Sequence, residues 1–167
     1  MPEDRTLARA KADARQGKSP STQAGEFVRE EIEHVREGKH GARSTSQAIA
    51  IGLSKARRAG VKLPPRKNGA TSARSAAKER RDYTLGQTEM ENSPSPTRSR
   101  ATTRALERES HQSASTAALS RHARESAQRR GPTSRQQAAA KAVHTKGKAG
   151  LQRATKKAAV TRAARNK

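Results

Sequence analysis

Large apolar residues are sparse along this chain, and where they occur they keep helical time. Ala24, Val28, Ile32 and Val35 recur at intervals of four, four and three, with Phe27 at the edge of the stripe and Arg29, Glu30, Glu33 and Arg36 on the other side. That spacing predicts an amphipathic helix ending at Gly38 or Gly41. A second start signal follows in Ser44-Thr45-Ser46-Gln47, a capping box in which the serine accepts a free backbone N–H and Gln47 reaches back. Ile49, Leu53 and Ala56 then share a face, Gly60 suits a left-handed C-terminal position, and Pro64 prevents continuation. Residues 20–65 are therefore predicted to be a helical hairpin, Ile49 and Leu53 meeting the Val28, Ile32, Val35 stripe. Ile51 falls on the opposite side of its helix, between Lys55 and Arg58, where it would face a second copy of the hairpin, a partner protein or a DNA groove.

Beyond Pro64-Pro65 the pattern changes. Short Ala-rich helical segments at 71–83, 99–109, 115–130, 135–146 and 151–166 alternate with breakers: Gly86, the "SPSPT" of 93–97, Gly131-Pro132, and Gly147 with Gly150. Each segment is rich in strong helix formers but holds only one or two large apolar side chains, among them Leu106, Leu119, Val143, Leu151 and Val160. Residues 1–19 read as a flexible basic N-terminus, and 66–167 as a basic low-complexity tail with helical segments.

Composition sharpens the expectation. Leu, Ile, Val and Phe together number 16 of 167 residues, well under the roughly one-fifth below which a highly charged chain stays disordered. Nine of them lie between Phe27 and Leu63. The predicted fold class is all-α and largely disordered: a short helical hairpin plus an Ala/Lys/Arg-rich tail of isolated helices without a common core. Since a lone hairpin buries little, self-association through residues 25–63, or order coupled to binding, is expected. The chain has no cysteine, which removes disulfides, thiolate metal sites and thiol nucleophiles.

Charge then points to a partner. The formal net charge is +22, with 37 Lys and Arg against 15 acids, which calls for a polyanion. Residues 1–65 carry net +5 and residues 66–167 net +17; the last acid is Glu125, after which twelve basic side chains follow. One Tyr and one Phe give no stacking platform for single strands. Contact is therefore expected with phosphates, DNA favoured over RNA and duplex over single strand, with little base specificity. The residues expected to carry it are Lys55, Arg57, Arg58, Arg98, Arg100, Arg129, Arg130, Arg135, Lys141, Lys146, Lys148, Arg153, Lys156, Lys157, Arg162, Arg165 and Lys167. A helix-turn-helix is disfavoured, because about ten residues separate Val35 from Ser46 where three or four are usual.

An anionic membrane is a poor competitor, since the tail helices carry too few large apolar side chains to insert. No secretory leader is visible and no apolar run approaches a membrane span, so a cytoplasmic, nucleoid-associated location is expected. His34 and His40 lack thiol companions and read as incidental surface histidines, with no metal and no cofactor implied. No Ser-His-Asp set, phosphate loop or paired-carboxylate cleft can be assembled, so no enzyme activity and no small-molecule substrate are expected.

The stretch "GEFVREEIEHVREGKHGARSTSQAIAIGLSKARRAGVKLPP", residues 25–65, resembles a family of small, basic bacterial proteins that often carry the label plasmid stabilisation protein and sometimes DNA-binding protein. The resemblance implies a DNA-linked, plasmid-maintenance role and no established active site. From residue 134 onward the tail is similar in composition to bacterial histone-H1-like tails. The alternative is a protein-interaction module in a plasmid partition or toxin-control complex, with the tail as a nonspecific anchor.

Overall fold

The computed structural model describes residues 2–65, 72–88 and 95–165. Among them are seven α-helices, one 3-10 turn and no strand, so the chain is all-α. The predicted hairpin is present as α2 (Pro20–Arg36) and α3 (Thr45–Arg58). Pro20 opens α2 where its missing N–H costs nothing. Both helices end on a glycine of positive φ: Gly38 (φ 76°) and Gly60 (φ 86°). After α2, Lys39 N donates to His34 O at 3.0 Å and Gly38 N to Val35 O at 3.3 Å; after α3, Val61 N donates to Ala56 O and Gly60 N to Arg57 O, both at 3.1 Å. Each pair is a Schellman closure that satisfies otherwise orphaned carbonyls. At the start of α3, Ser44 Oγ accepts from Gln47 N at 3.2 Å as expected, but Gln47 Oε1 accepts from Arg43 N at 2.9 Å, one residue before the position the capping box uses.

The hairpin meets through small residues. Thr45, Ala48, Gly52 and Ala56 are the buried positions that recur along one side of α3. A Cβ on Gly52 would lie 2.7 Å from Val28 Cα, so the two backbones are in direct contact there. The large side chains consequently sort differently from the expected pairing. Leu53 packs against a cluster of Ala10, Ala24, Phe27, Ala56 and Val61, as do Leu7 and Leu63. Val28 joins Ile32, Val35, Ala42, Ala48, Ala114 and Leu119. Ile49 and Ile51 are half-buried.

The rest of the core comes from outside residues 20–65. The N-terminal residues form α1 (Asp4–Arg15), which packs on α2. On α3 lies α4 (Ala73–Gln87). The end of α5 (Pro96–Glu107) holds the hairpin's turn: Gly41 N donates to Leu106 O at 2.9 Å and Ala42 N to Ser110 O at 3.1 Å. The 3-10 turn His111–Ala114 is clamped by Thr45 Oγ1 donating to Ser113 O at 2.6 Å and Arg36 Nε donating to Ala114 O at 2.9 Å. Ser115 then caps α6 (Thr116–Arg129) by accepting from Ala118 N. The expectation of a largely disordered chain with isolated tail helices is therefore corrected for this region. A count of large aliphatics underrated it, because the cover is made by alanines fully removed from water, such as Ala42, Ala48 and Ala114, and by hydrogen bonds to main-chain carbonyls.

Two compact units result, Met1–His122 and Ala123–Lys167. The second holds the end of α6 and α7 (Gly131–Arg165), interrupted at Gly147 (φ 62°, ψ 174°). None of its described side chains is buried, and Val143 and Val160 are 52% and 70% exposed. No helix among the described residues is long and apolar enough to cross a membrane.

Candidate functional site

The basic side chains chosen from sequence divide into two groups. Arg129, Arg130, Arg135, Lys141, Lys146, Lys148, Arg153, Lys156, Lys157 and Arg162 are all exposed on the end of α6 and along α7. Among the described residues one of them, Arg129, reaches an acid, Glu125, at 4.0 Å. Arg98 and Arg100 are exposed in the first turns of α5, where Ser95 caps the helix by accepting from Arg98 N at 3.3 Å. Arg165 ends α7, while Lys167, like Ser93 and Pro94 of the "SPSPT" stretch, lies outside the described residues. The cations of α7 stand on an Ala-rich helix that has no carboxylate of its own, and they can bind phosphate oxygens at any rotation about the helix axis.

The three cations of α3 each have a carboxylate of α2 or α4 beside them. Lys55 Nζ lies 3.2 Å from Glu30 and 2.8 Å from Glu31 of α2. Arg57, only 3% exposed, lies 3.5 Å from Glu79 of α4 and donates from Nε to Leu63 O at 3.3 Å. Arg58 is exposed but lies 3.5 Å from Asp82 and donates to Ser54 Oγ at 3.1 Å, while Ser54 donates to Asp82 at 2.5 Å. These side chains join helices, and Arg57 has no open path to a phosphate. Ile51, half-buried, is not a bare apolar surface.

Glu30 was placed on the solvent side by its spacing, yet it is 3% exposed, and Glu31 is fully buried. Burial is the largest single influence on the Glu30 carboxyl and pushes its pKa up. The Glu3 backbone N–H, at 3.0 Å, the Thr6 hydroxyl and Lys55 together outweigh it and hold the group below the ordinary carboxylate range. A depressed folded-state pKa stabilises above the unfolded value and is lost as pH falls through the folded one. Glu30→Gln should therefore lower the melting temperature at neutral pH, with the difference from wild type closing below about pH 4. A difference independent of pH would show that Glu30 does not titrate in that window. Nearby, Glu3 is also held low, chiefly by hydrogen bonds from His34 and Lys39, and Lys39 is raised, chiefly by Glu37.

Beside these acids the structure assembles a group that the sequence spacing did not suggest. Glu31 and His34 stand one turn apart on α2, and the Gly38 turn returns His40 to them. One ligand-capable atom from each lies within 4.8 Å of the other two. The two rings meet edge to face at 6.1 Å. Their side chains are 13% and 16% exposed, not the free surface histidines expected. Glu-x-x-His followed by a glycine turn and a second His was the available signal.

Residues 15–67 match a family of unknown function (DUF6496). No curated protein and no solved structure matches the chain. The resemblance drawn over 25–65 to proteins labelled plasmid stabilisation or DNA-binding is thereby corrected: the family model that matches this segment is one of unknown function, and the compositional likeness of the tail to histone-H1-like proteins has no matching curated protein behind it.

Proposed function

We propose that this is a non-enzymatic nucleic-acid-binding protein that holds duplex DNA through phosphate contacts from α7 and the end of α6. The observation that carries the reading is the run from residue 126 to 167, in which twelve Lys and Arg stand with no acid. In α3, by contrast, every cation has a carboxylate beside it. The acid-free run begins just after Glu125, the last acid of the chain. Affinity of this kind comes from counterion release and carries little sequence information. On this reading the protein works in the compartment where duplex DNA is found.

The test is a titration of the full chain against two unrelated duplexes at several salt concentrations, beside a variant with Lys141, Lys146, Lys148, Arg153, Lys156, Lys157 and Arg162 all changed to Gln. Wild type should bind both duplexes alike with a steep salt dependence. The variant's slope in log K against log salt should be shallower by about six, or ~0.9 for each phosphate contact removed. An unchanged slope, or a strong preference of the wild type for one duplex, would sink the reading. Stronger binding to anionic vesicles than to DNA at equal salt would replace it with a membrane role.

A further inference from the structure

We infer that Glu31, His34 and His40 form a binding site for one divalent transition-metal ion of the zinc type. The first observation is the Glu31 carboxylate, which is fully buried while neither oxygen accepts a directed hydrogen bond. Lys55 Nζ stands 2.8 Å from Oε2 and His40 Nε2 stands 3.4 Å from Oε1, so Oε2 has a counter-charge beside it and Oε1 faces the imidazole. An isolated buried carboxylate is costly unless paired and hydrogen-bonded.

The second observation is the state of His40. Its Nδ1 lies 3.1 Å from Gly41 O. A carbonyl can only accept, so Nδ1 carries a proton and Nε2 is the ring nitrogen turned toward Glu31. Nε2 faces Glu31 Oε1 with no directed hydrogen bond between them, and the two atoms are placed as a pair of ligands that one cation can share. A proton would draw them to about 2.7–2.9 Å. An ion bonded to each at about 2.0–2.1 Å in a tetrahedral shell would hold them about 3.3–3.4 Å apart, and the observed separation is 3.4 Å.

The surrounding groups fit the same occupant. A metal-bound imidazole typically donates its other N–H to a carbonyl or carboxylate. His40 does so to Gly41 O, and His34 Nε2 lies 2.9 Å from Glu3 Oε1. Glu3, Glu30, Glu31 and Glu37 against Lys39 and Lys55 leave two negative charges around the rings. Imidazole nitrogens select zinc, nickel, cobalt or copper over calcium and magnesium. Three protein ligands leave one coordination position for water. The ion would tie α2 to its C-terminal turn and, through Glu3, to α1.

The full chain should bind one Co2+ with the intense visible absorption of four-coordinate cobalt, and Zn2+ should displace it. Either His34→Gln or His40→Gln should abolish that absorption, His144→Gln on α7 should leave it intact, and Glu3→Gln should weaken binding by about tenfold or more. Zn2+ should also raise the melting temperature of the wild type and not of the His40 variant. A wild-type cobalt spectrum that stays six-coordinate, or affinity unchanged by His40→Gln, overturns the site. Should His40→Gln lose helix content, the wild-type spectrum and its displacement by Zn2+ still decide.

Discussion

Gly52→Val is expected to abolish the α2–α3 hairpin and with it cooperative melting of the first unit. The first atom of any new side chain would lie 2.7 Å from Val28 Cα and 3.0 Å from both Phe27 O and Val28 N. All three are main-chain atoms of a helix, so none can swing aside as a side-chain end would. Leaving Gly for a residue that favours helix more would ordinarily help by up to about 1 kcal/mol. Even one forced carbon in a packed contact costs about 1–3 kcal/mol, and valine adds three. Moving the helices apart would uncover Phe27 and Val35 together, since each core cluster draws on both helices. Gly25→Ala supplies the contrast, because nothing lies within 4 Å of its new Cβ on the same α2, and its melting temperature should hold or rise. A Gly52→Val protein that melts like wild type would show that the helices do not touch at this point.

The hairpin was readable because its signals are local. A stripe at helical spacing, a serine cap and two glycine stops each depend on a few neighbouring residues, and all act at the positions the sequence marks. The buried charges could not be read in the same way. Glu30 follows a polar pattern on its own helix and is buried only because Glu3, Thr6 and Lys55 arrive from other segments. Arg57 looks like a member of a basic run until Glu79 is brought to it from α4. Gly52 interrupts a run of apolar residues without announcing that another backbone needs the space. The buried alanines mislead for a related reason: Ala42, Ala48 and Ala114 look like helix filler until Val35 and Ile32 close over them. The metal-type cluster was hidden by the Gly38 turn, which alone makes His40 a neighbour of Glu31.

Arg57→Ala is the second change with a large expected effect, and it separates folding charge from binding charge. Removal of the guanidinium leaves Glu79, itself 9% exposed, without this counter-ion, and Leu63 O without its donor. Breaking a buried pair from one side typically costs about 3–5 kcal/mol when the remaining charge is uncompensated; the 3.5 Å separation and a further interaction of Glu79 place the loss at or below the lower end. The first unit should melt at a clearly lower temperature. Below that melting point, duplex affinity and its salt slope should match wild type, because Arg57 is only 3% exposed and its guanidinium is held by Glu79 and Leu63 O. Restoring bulk without charge, as Arg57→Met together with Glu79→Gln, should recover part of the lost stability, since both charges of the pair are removed together. If Arg57→Ala instead melts normally and lowers the salt slope by about one unit, Arg57 is a phosphate ligand, and its ion pair opens when nucleic acid binds.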